Sequence, residues 1–256
     1  MSPIDEIPLS GGNSAGGVVR VGDTVRKPSG PWSPAVDAFL RHLAVVGYEN
    51  SPKSLGFDHQ GRHVLEFIDG AIEMPSGPNR PDAELVRVGA LIREFHDASE
   101  SFVAPSDAQW RVAIAPDAED LIVHHDIAPW NLVHGAQRMV IIDWDGAGPG
   151  SRLWDLAYAC GGFAPLAPEV DVTVAARRLA LVAAGYELDQ RGRERLASLL
   201  VPRLRSMYEL LKSGREDDVQ PWHQLWDEGH GSTWLGFTEY AQKNVDALTS
   251  ALLDAS

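Results

Sequence analysis

His-His-Asp-Ile-Ala-Pro-Trp-Asn, residues His124 to Asn131, followed at Met139 by Met-Val-Ile-Ile-Asp-Trp-Asp, is the stretch whose reading decides the fold. Ile122-Val123 leads into it as a short apolar run. Pro129 has no backbone donor and cannot continue a ladder or a helix interior, so the chain loops out at Ala128-Pro129. Leu132-Val133 resumes the apolar pattern, Gly135-Ala136-Gln137 makes a turn, and Met139 to Ile142 reads as a buried strand. Such a hairpin returns Asp143 to the loop that holds Asp126. Asp126, Asn131 and Asp143 then converge at one end of two strands. That trio suits phosphoryl transfer, in which spread negative charge asks for positioning and neutralisation rather than covalent help. Asp126 is the candidate catalytic residue, placed to orient a hydroxyl and accept its proton. Asn131 and Asp143 are candidate metal ligands, offering hard oxygens to Mg2+ on nucleotide phosphates.

The pattern His124-x-Asp126-x4-Asn131, with Ile142-Asp143-Trp144-Asp145, resembles the signature of the aminoglycoside phosphotransferase and choline kinase families, small-molecule relatives of the protein kinases. Protein kinases carry H-R-D-x4-N and D-F-G at these places. Here His125 stands for the arginine and Trp144-Asp145 for Phe-Gly, which brings the chain nearer to the small-molecule kinases. The resemblance is closest to aminoglycoside phosphotransferase-type proteins. It implies an α+β, bilobal, protein-kinase-like fold, with a small β-rich N-lobe over residues 1–70 and a larger helical C-lobe over residues 71–256. It implies an Mg2+-dependent enzyme that moves the γ-phosphate of ATP or GTP to a hydroxyl of a small molecule. A choline- or ethanolamine-type kinase and a catalytically silent nucleotide-binding protein of the same fold are the neighbouring readings. A metal-dependent hydrolase built on His124, His125, Asp126, Asp143 and Asp145 is a reading from another class. It leaves Asn131 and the upstream lysine unexplained. His124 reads as a brace for the loop. Asp145 is open between a further metal ligand, an acceptor contact and a solvated turn carboxylate.

The first part of the chain reads as a small β-rich lobe. Gly11 to Gly17 is glycine-rich and can bring backbone N–H groups to phosphates, although it does not match G-x-G-x-x-G. Val18 to Val21, the turn Gly22-Asp23 and Thr24 to Lys27 form a hairpin. Lys27 is the favoured phosphate-binding lysine. Arg26 is its rival, because strand alternation lets only one of the two face the cleft. Ser33 to Leu43 reads as a helix, with Ser33 as cap and Pro34 in the first turn. Asp37 is the acidic residue there that the resemblance would pair with the lysine, and it is shorter than the usual glutamate. His63 to Ile68 reads as a strand. The resemblance places the adenine-gripping hinge at its end, near Phe67, Ile68, Asp69 and Gly70.

Met74 to Pro81 reads as a linker. From Asp82 the pattern is helical, with Leu85, Val88, Gly89, Ile92 and Phe95 on one face. His96 on that helix reads as a packing or hydrogen-bonding residue. Asp155 opens an apolar helix; the resemblance makes it the anchor of the catalytic loop, and an N-cap role is equally sensible. Further helices run from about Val170 to Ala184, Gln190 to Leu211 and Thr233 to Leu253. Trp222, Trp226 and Trp234 with Asp227, Glu228, His223 and His230 form an aromatic and acidic cluster. Trp226, Asp227 and Glu228 are candidate acceptor contacts through ring faces and carboxylates.

The net charge of −14 argues against a nucleic-acid partner, since phosphate backbones reward clustered Lys and Arg. It is compatible with a cationic small-molecule acceptor. No apolar run approaches the ~20 residues that cross a bilayer, so no membrane partner is expected. The acidic N-terminus lacks a basic-plus-apolar leader. The single cysteine, Cys160, excludes an intrachain disulfide and sits among small residues as a core position. A cytoplasmic location is the expectation.

Overall fold

The computed structural model of the chain describes residues 6–9, 17–72 and 80–254. The glycine-rich reading around Gly11, and most of the linker from Met74, lie outside the described residues. Strands β1 (Ile7–Pro8), β2 (Val19–Val21), β3 (Thr24–Lys27), β4 (Ser54–Phe57) and β5 (His63–Glu66) form an antiparallel sheet in the order β1-β2-β3-β5-β4. The β2–β3 turn is Gly22-Asp23, with Gly22 at φ +60°, a left-handed conformation that glycine adopts without steric cost. Lys27 and His63 are cross-strand partners in this sheet. Strand β4 was not legible beforehand. Gly56, at φ +85° in a register irregularity, interrupts its alternation.

Helix α1 (Ser33–Val45) packs Val36, Phe39, Leu40 and Leu43 into the core. Its cap differs from the sequence reading: Trp32 is the N-cap residue and makes no side-chain cap bond, while Ser33 Oγ accepts from the Gly30 amide. After β5 the chain runs through Phe67, Ile68 and Asp69 into β6 (Gly70–Ile72), which joins β8 (Leu132–Gly135) and β9 (Met139–Ile141) in a second sheet. Strand β7 (Leu121–Val123) pairs with β10 (Gly148–Gly150).

The α-helices that follow are α2 (Asp82–Ser99), α3 (Arg152–Phe163), α4 (Val172–Gly185), α5 (Gln190–Glu216), α6 (Trp222–Asp227), α7 (His230–Lys243) and α8 (Val245–Asp254). Leu85, Val88, Gly89, Ile92 and Phe95 all lie on the buried face of α2, as the spacing requires. Helices α2 and α4 cross closely at Gly89 and Gly185; a Cβ on Gly89 would meet the Val182 carbonyl, and one on Gly185 would meet the Val86 carbonyl. The single helix read from Thr233 is two helices. Asn244 ends α7, its amide N–H and its side-chain Nδ2 both donating to the Tyr240 carbonyl, so a side chain competes for the ladder. Among the described residues no helix is long and apolar enough to cross a membrane.

Candidate active site

The loop between β7 and β8 is held in shape from beneath. His125 lies at φ +67° and Asp143 at φ +64°, two non-glycine residues in the left-handed region, where strain persists only if the surroundings over-determine it. The surroundings do so. Asp155, fully buried on α3, accepts from the His125 amide at 2.7 Å, the His124 amide at 3.3 Å and His96 Nε2 at 3.1 Å. The cap of α3 is Ser151, whose side chain accepts from the Trp154 amide, so the N-cap alternative for Asp155 is corrected. Burial would raise the Asp155 carboxyl, and the His96 bond together with the nearby imidazoles outweighs it, leaving a pKa of about 2. His96 in turn meets Tyr186 Oη at 2.8 Å. His124 donates from Nε2 to the Ile142 carbonyl at 3.0 Å and accepts the Asp126 amide at Nδ1 at 3.2 Å, which ties the loop to the strand that ends in Asp143. Burial lowers the pKa of both histidines, so each is a neutral bridge near pH 7.

Asp126 presents its carboxylate at the mouth of this loop. Asn131 Nδ2 donates to Asp126 Oδ2 at 2.8 Å and to its backbone carbonyl at 2.9 Å. Tyr158 Oη donates to Asp126 Oδ1 at 2.6 Å. Burial raises the Asp126 pKa, the Tyr158 bond lowers it, the Asp143 charge raises it again and the Asn131 bond lowers it, with a net value of about 6. A carboxylate so poised can take a proton near neutrality. The two Nδ2 bonds fix the Asn131 amide with its oxygen free of that duty. The Asn131 carbonyl also accepts the Ile142 amide at 2.9 Å, so Asp143 follows directly on the residue joined to Asn131.

Lys27 is buried at the end of β3 and reaches across to this loop, with Nζ 2.6 Å from Asp143 Oδ1 and 3.0 Å from Asp145 Oδ2. Burial alone would lower the ammonium; Asp143 and then Asp145 outweigh it and hold its pKa above the usual value. Arg26 points elsewhere, donating to Thr24 Oγ1 at 2.7 Å and lying 3.6 Å from Asp58. Asp37 on α1 does not meet Lys27; it accepts from Arg41 Nε at 2.9 Å and from Ser54 Oγ at 2.5 Å. Trp144, between Asp143 and Asp145, is buried against Phe39, Phe95 and His124, and its indole N–H donates to the Ile141 carbonyl at 2.8 Å.

Among the described residues no group of three or more His, Cys, Asp and Glu could hold a metal, so the cluster that the hydrolase reading needs is not assembled. Mg2+ on a nucleotide does not require such a cage: one or two carboxylates together with phosphates and water suffice. The Asn131 amide oxygen and Asp143 fit that demand.

Phe67, Ile68 and Asp69 form the connection between the two sheets, with the Phe67 amide donating to the Asp23 carbonyl at 3.0 Å and Arg20 stacked 3.7 Å from the Phe67 ring centroid. The tryptophan cluster divides. Trp234 stacks on Tyr158 with centroids 5.6 Å apart and planes 17° from parallel, whereas Trp226 leans on Tyr208 at 5.9 Å. Asp227 is taken up by Arg215 at 2.9 Å and His223 at 3.2 Å, and Glu228 by Gln224 at 2.8 Å. Two neighbours of Asp126 escaped the sequence reading. Tyr158 sits in an apolar helical run, and Arg203 on α5 is a buried guanidinium that donates to the His125 carbonyl at 2.9 Å. The signal for Tyr158 was its place three residues after Asp155, on the same face of α3.

A model of the phosphotransferase enzyme family matches residues 106–198. A trifolitoxin immunity protein of Rhizobium leguminosarum bv. trifolii is 34% identical over 231 residues, which cover 85% of this chain and 87% of that protein. The crystal structure of a choline/ethanolamine kinase family protein from Mesorhizobium loti superposes with a TM-score of 0.68 at 16% identity, covering 98% of this chain and 94% of that one. An amicoumacin kinase in complex with AMP-PNP and Ca2+ gives 0.65 at 13% identity over 88% of each chain. A spectinomycin phosphotransferase with ADP and spectinomycin gives 0.53 at 13% identity, over 93% of this chain and 88% of that one. The fold is the kinase-like fold of these proteins.

Proposed function

This chain belongs to the phosphotransferase enzyme family, and from that membership we propose that it transfers the γ-phosphate of ATP or GTP to a hydroxyl of a small molecule. The observation that carries the reading is the Asp126 carboxylate, fixed by Asn131 and lifted to a pKa of about 6, beside a lysine that bridges to Asp143. In this mechanism the acceptor hydroxyl gives its proton to Asp126 as its oxygen attacks the γ-phosphorus, and the bond to the nucleoside diphosphate breaks. Asn131 and Asp143 would hold Mg2+, which supplies charge neutralisation on the phosphates. Lys27 holds the nucleotide phosphates, and the backbone at Phe67, Ile68 and Asp69 receives the base. Asp155 and His124 keep the loop in place. We keep the boundary between nucleotide-binding and helical lobes at residue 70, and we place the protein in the cytoplasm, where nucleoside triphosphate is supplied.

The relative with the immunity name supports an acceptor of antibiotic or toxin type, and the three carboxylates Asp126, Asp143 and Asp145 would favour a cationic one. Asp145, Trp226, Asp227 and Glu228 remain candidate acceptor contacts. The test is Asp126→Asn and Asp126→Ala, assayed with Mg·ATP and a panel of aminoglycosides, amicoumacin-like compounds, choline and ethanolamine. Both variants should bind nucleotide as the parent does and lose transfer by roughly a hundredfold or more, the scale of general base catalysis. Full transfer in either would refute the assignment. Nucleotide binding by the parent without turnover on any acceptor or on water would favour a silent binding protein.

A further inference from the structure

Helix α3 sends two side chains to the catalytic loop from one face. Asp155 takes the backbone amides of His124 and His125. Tyr158 takes the Asp126 side chain itself, through the 2.6 Å bond to Oδ1. The Tyr158 ring is fixed on two sides: Trp234 of α7 stacks on it at 5.6 Å, and the Arg203 guanidinium of α5 lies 4.4 Å from its centroid. Arg203 donates to the carbonyl of strained His125 at the same time. Three helices therefore meet on a phenol whose hydroxyl faces the reacting carboxylate.

We propose that Tyr158 is a positioning residue for phosphoryl transfer, locking the Asp126 carboxylate so that its free lone pairs face the acceptor hydroxyl. Packing alone does not call for a hydroxyl here, since a phenylalanine would fill the same space. Each Asp126 oxygen already holds one donor, Asn131 on Oδ2 and Tyr158 on Oδ1, and each keeps one lone pair. With both anchors in place the carboxylate cannot rotate, and the direction of proton acceptance is set before an acceptor arrives. Tyr158 keeps its own proton throughout: burial and the Asp126 charge push the phenol well above its usual pKa. No bond to Tyr158 is made or broken in the transfer.

The inference rests on the kinase reading, and the experiment separates the two. Water serves as the acceptor, and phosphate release from Mg·ATP is followed in the parent, Tyr158→Phe, Tyr240→Phe and Asp126→Asn, with Mg·ATP affinity and melting temperature measured for each. Tyr158→Phe should lower kcat by roughly ten- to a hundredfold, the cost of a misplaced reacting group, with KM for Mg·ATP and the melting temperature unchanged. Tyr240→Phe removes another phenol hydroxyl, the one that donates to the Val170 carbonyl, and leaves the catalytic loop untouched, so its kcat should stay near the parent's. A Tyr158→Phe rate equal to the parent's, or an equal loss in Tyr240→Phe, overturns the positioning role while leaving the kinase reading intact. A parent rate no higher than that of Asp126→Asn overturns the base assignment and this inference with it.

Discussion

Replacing Asp155 by asparagine keeps the shape of the α3 anchor and removes its charge. The carboxylate is fully buried and accepts from two amides of the strained loop and from His96. Its pKa falls from 3.8 to about 2 on folding, despite the burial that opposes ionisation. At ~1.4 kcal/mol per unit, that drop is a contribution of roughly 2–3 kcal/mol from the ionised form. The sign follows from proton binding. Between pH 4 and 2 the unfolded chain takes up the proton first, so the contribution is complete above about pH 4 and is lost as the pH falls through the folded value. Asp155→Asn should therefore be roughly 2–3 kcal/mol less stable at pH 7 in urea unfolding followed by tryptophan emission. At ~2–4 °C per kcal/mol for a chain of this size, it should melt roughly 5–10 °C lower. The gap should close as the pH approaches 2. The buried histidines do not cancel in the difference: burial lowers the pKa of His96, His124 and His125 and Asp155 raises it, so their destabilisation of the fold below pH 6.5 is larger in the variant, and the gap widens there before it closes. A gap below about 0.5 kcal/mol at pH 7, or one that does not change between pH 7 and 2, would refute an ionised anchor.

Two further outcomes follow from geometry. Gly89→Ala sets a methyl against the Val182 carbonyl where α2 and α4 cross; overpacking of ~3 kcal/mol should exceed the ~1 kcal/mol gained in helix propensity, and thermal melting should show a net loss of about 2 kcal/mol. Lys27→Met leaves Asp143 and Asp145 facing each other without their shared cation, so calorimetry should show Mg·ATP binding weakened by roughly ten- to a hundredfold, about 1.4–2.8 kcal/mol. Unchanged affinity would remove Lys27 from the phosphate site.

Much of the fold was legible because its signals are local. The β2–β3 hairpin, the buried stripe of α2 and the turn that returns Asp143 to the Asp126 loop each rest on alternation, spacing or a turn residue within a short window. The parts that were not legible depend on distance along the chain. Tyr158 meets Asp126 from thirty-two positions away and Arg203 meets His125 from seventy-eight, and an aromatic in an apolar helix or an arginine in a polar one carries no mark of such a partner. Lys27 and Arg26 differ only in which face of β3 they occupy, which the sheet decides by pairing Lys27 with His63. The sequence also joined α7 and α8, because the competition of the Asn244 side chain for a carbonyl is a geometric event without a periodic signature.

The indole of Trp144 touches Phe39 of α1, Phe95 of α2 and the imidazole of His124 at once. Phe39 and Phe95 belong to different helices, so two helices and the loop of His124 all bear on the residue that separates Asp143 from Asp145. Loss of that ring would unseat all three contacts together and leave the carboxylates on either side without their shared support.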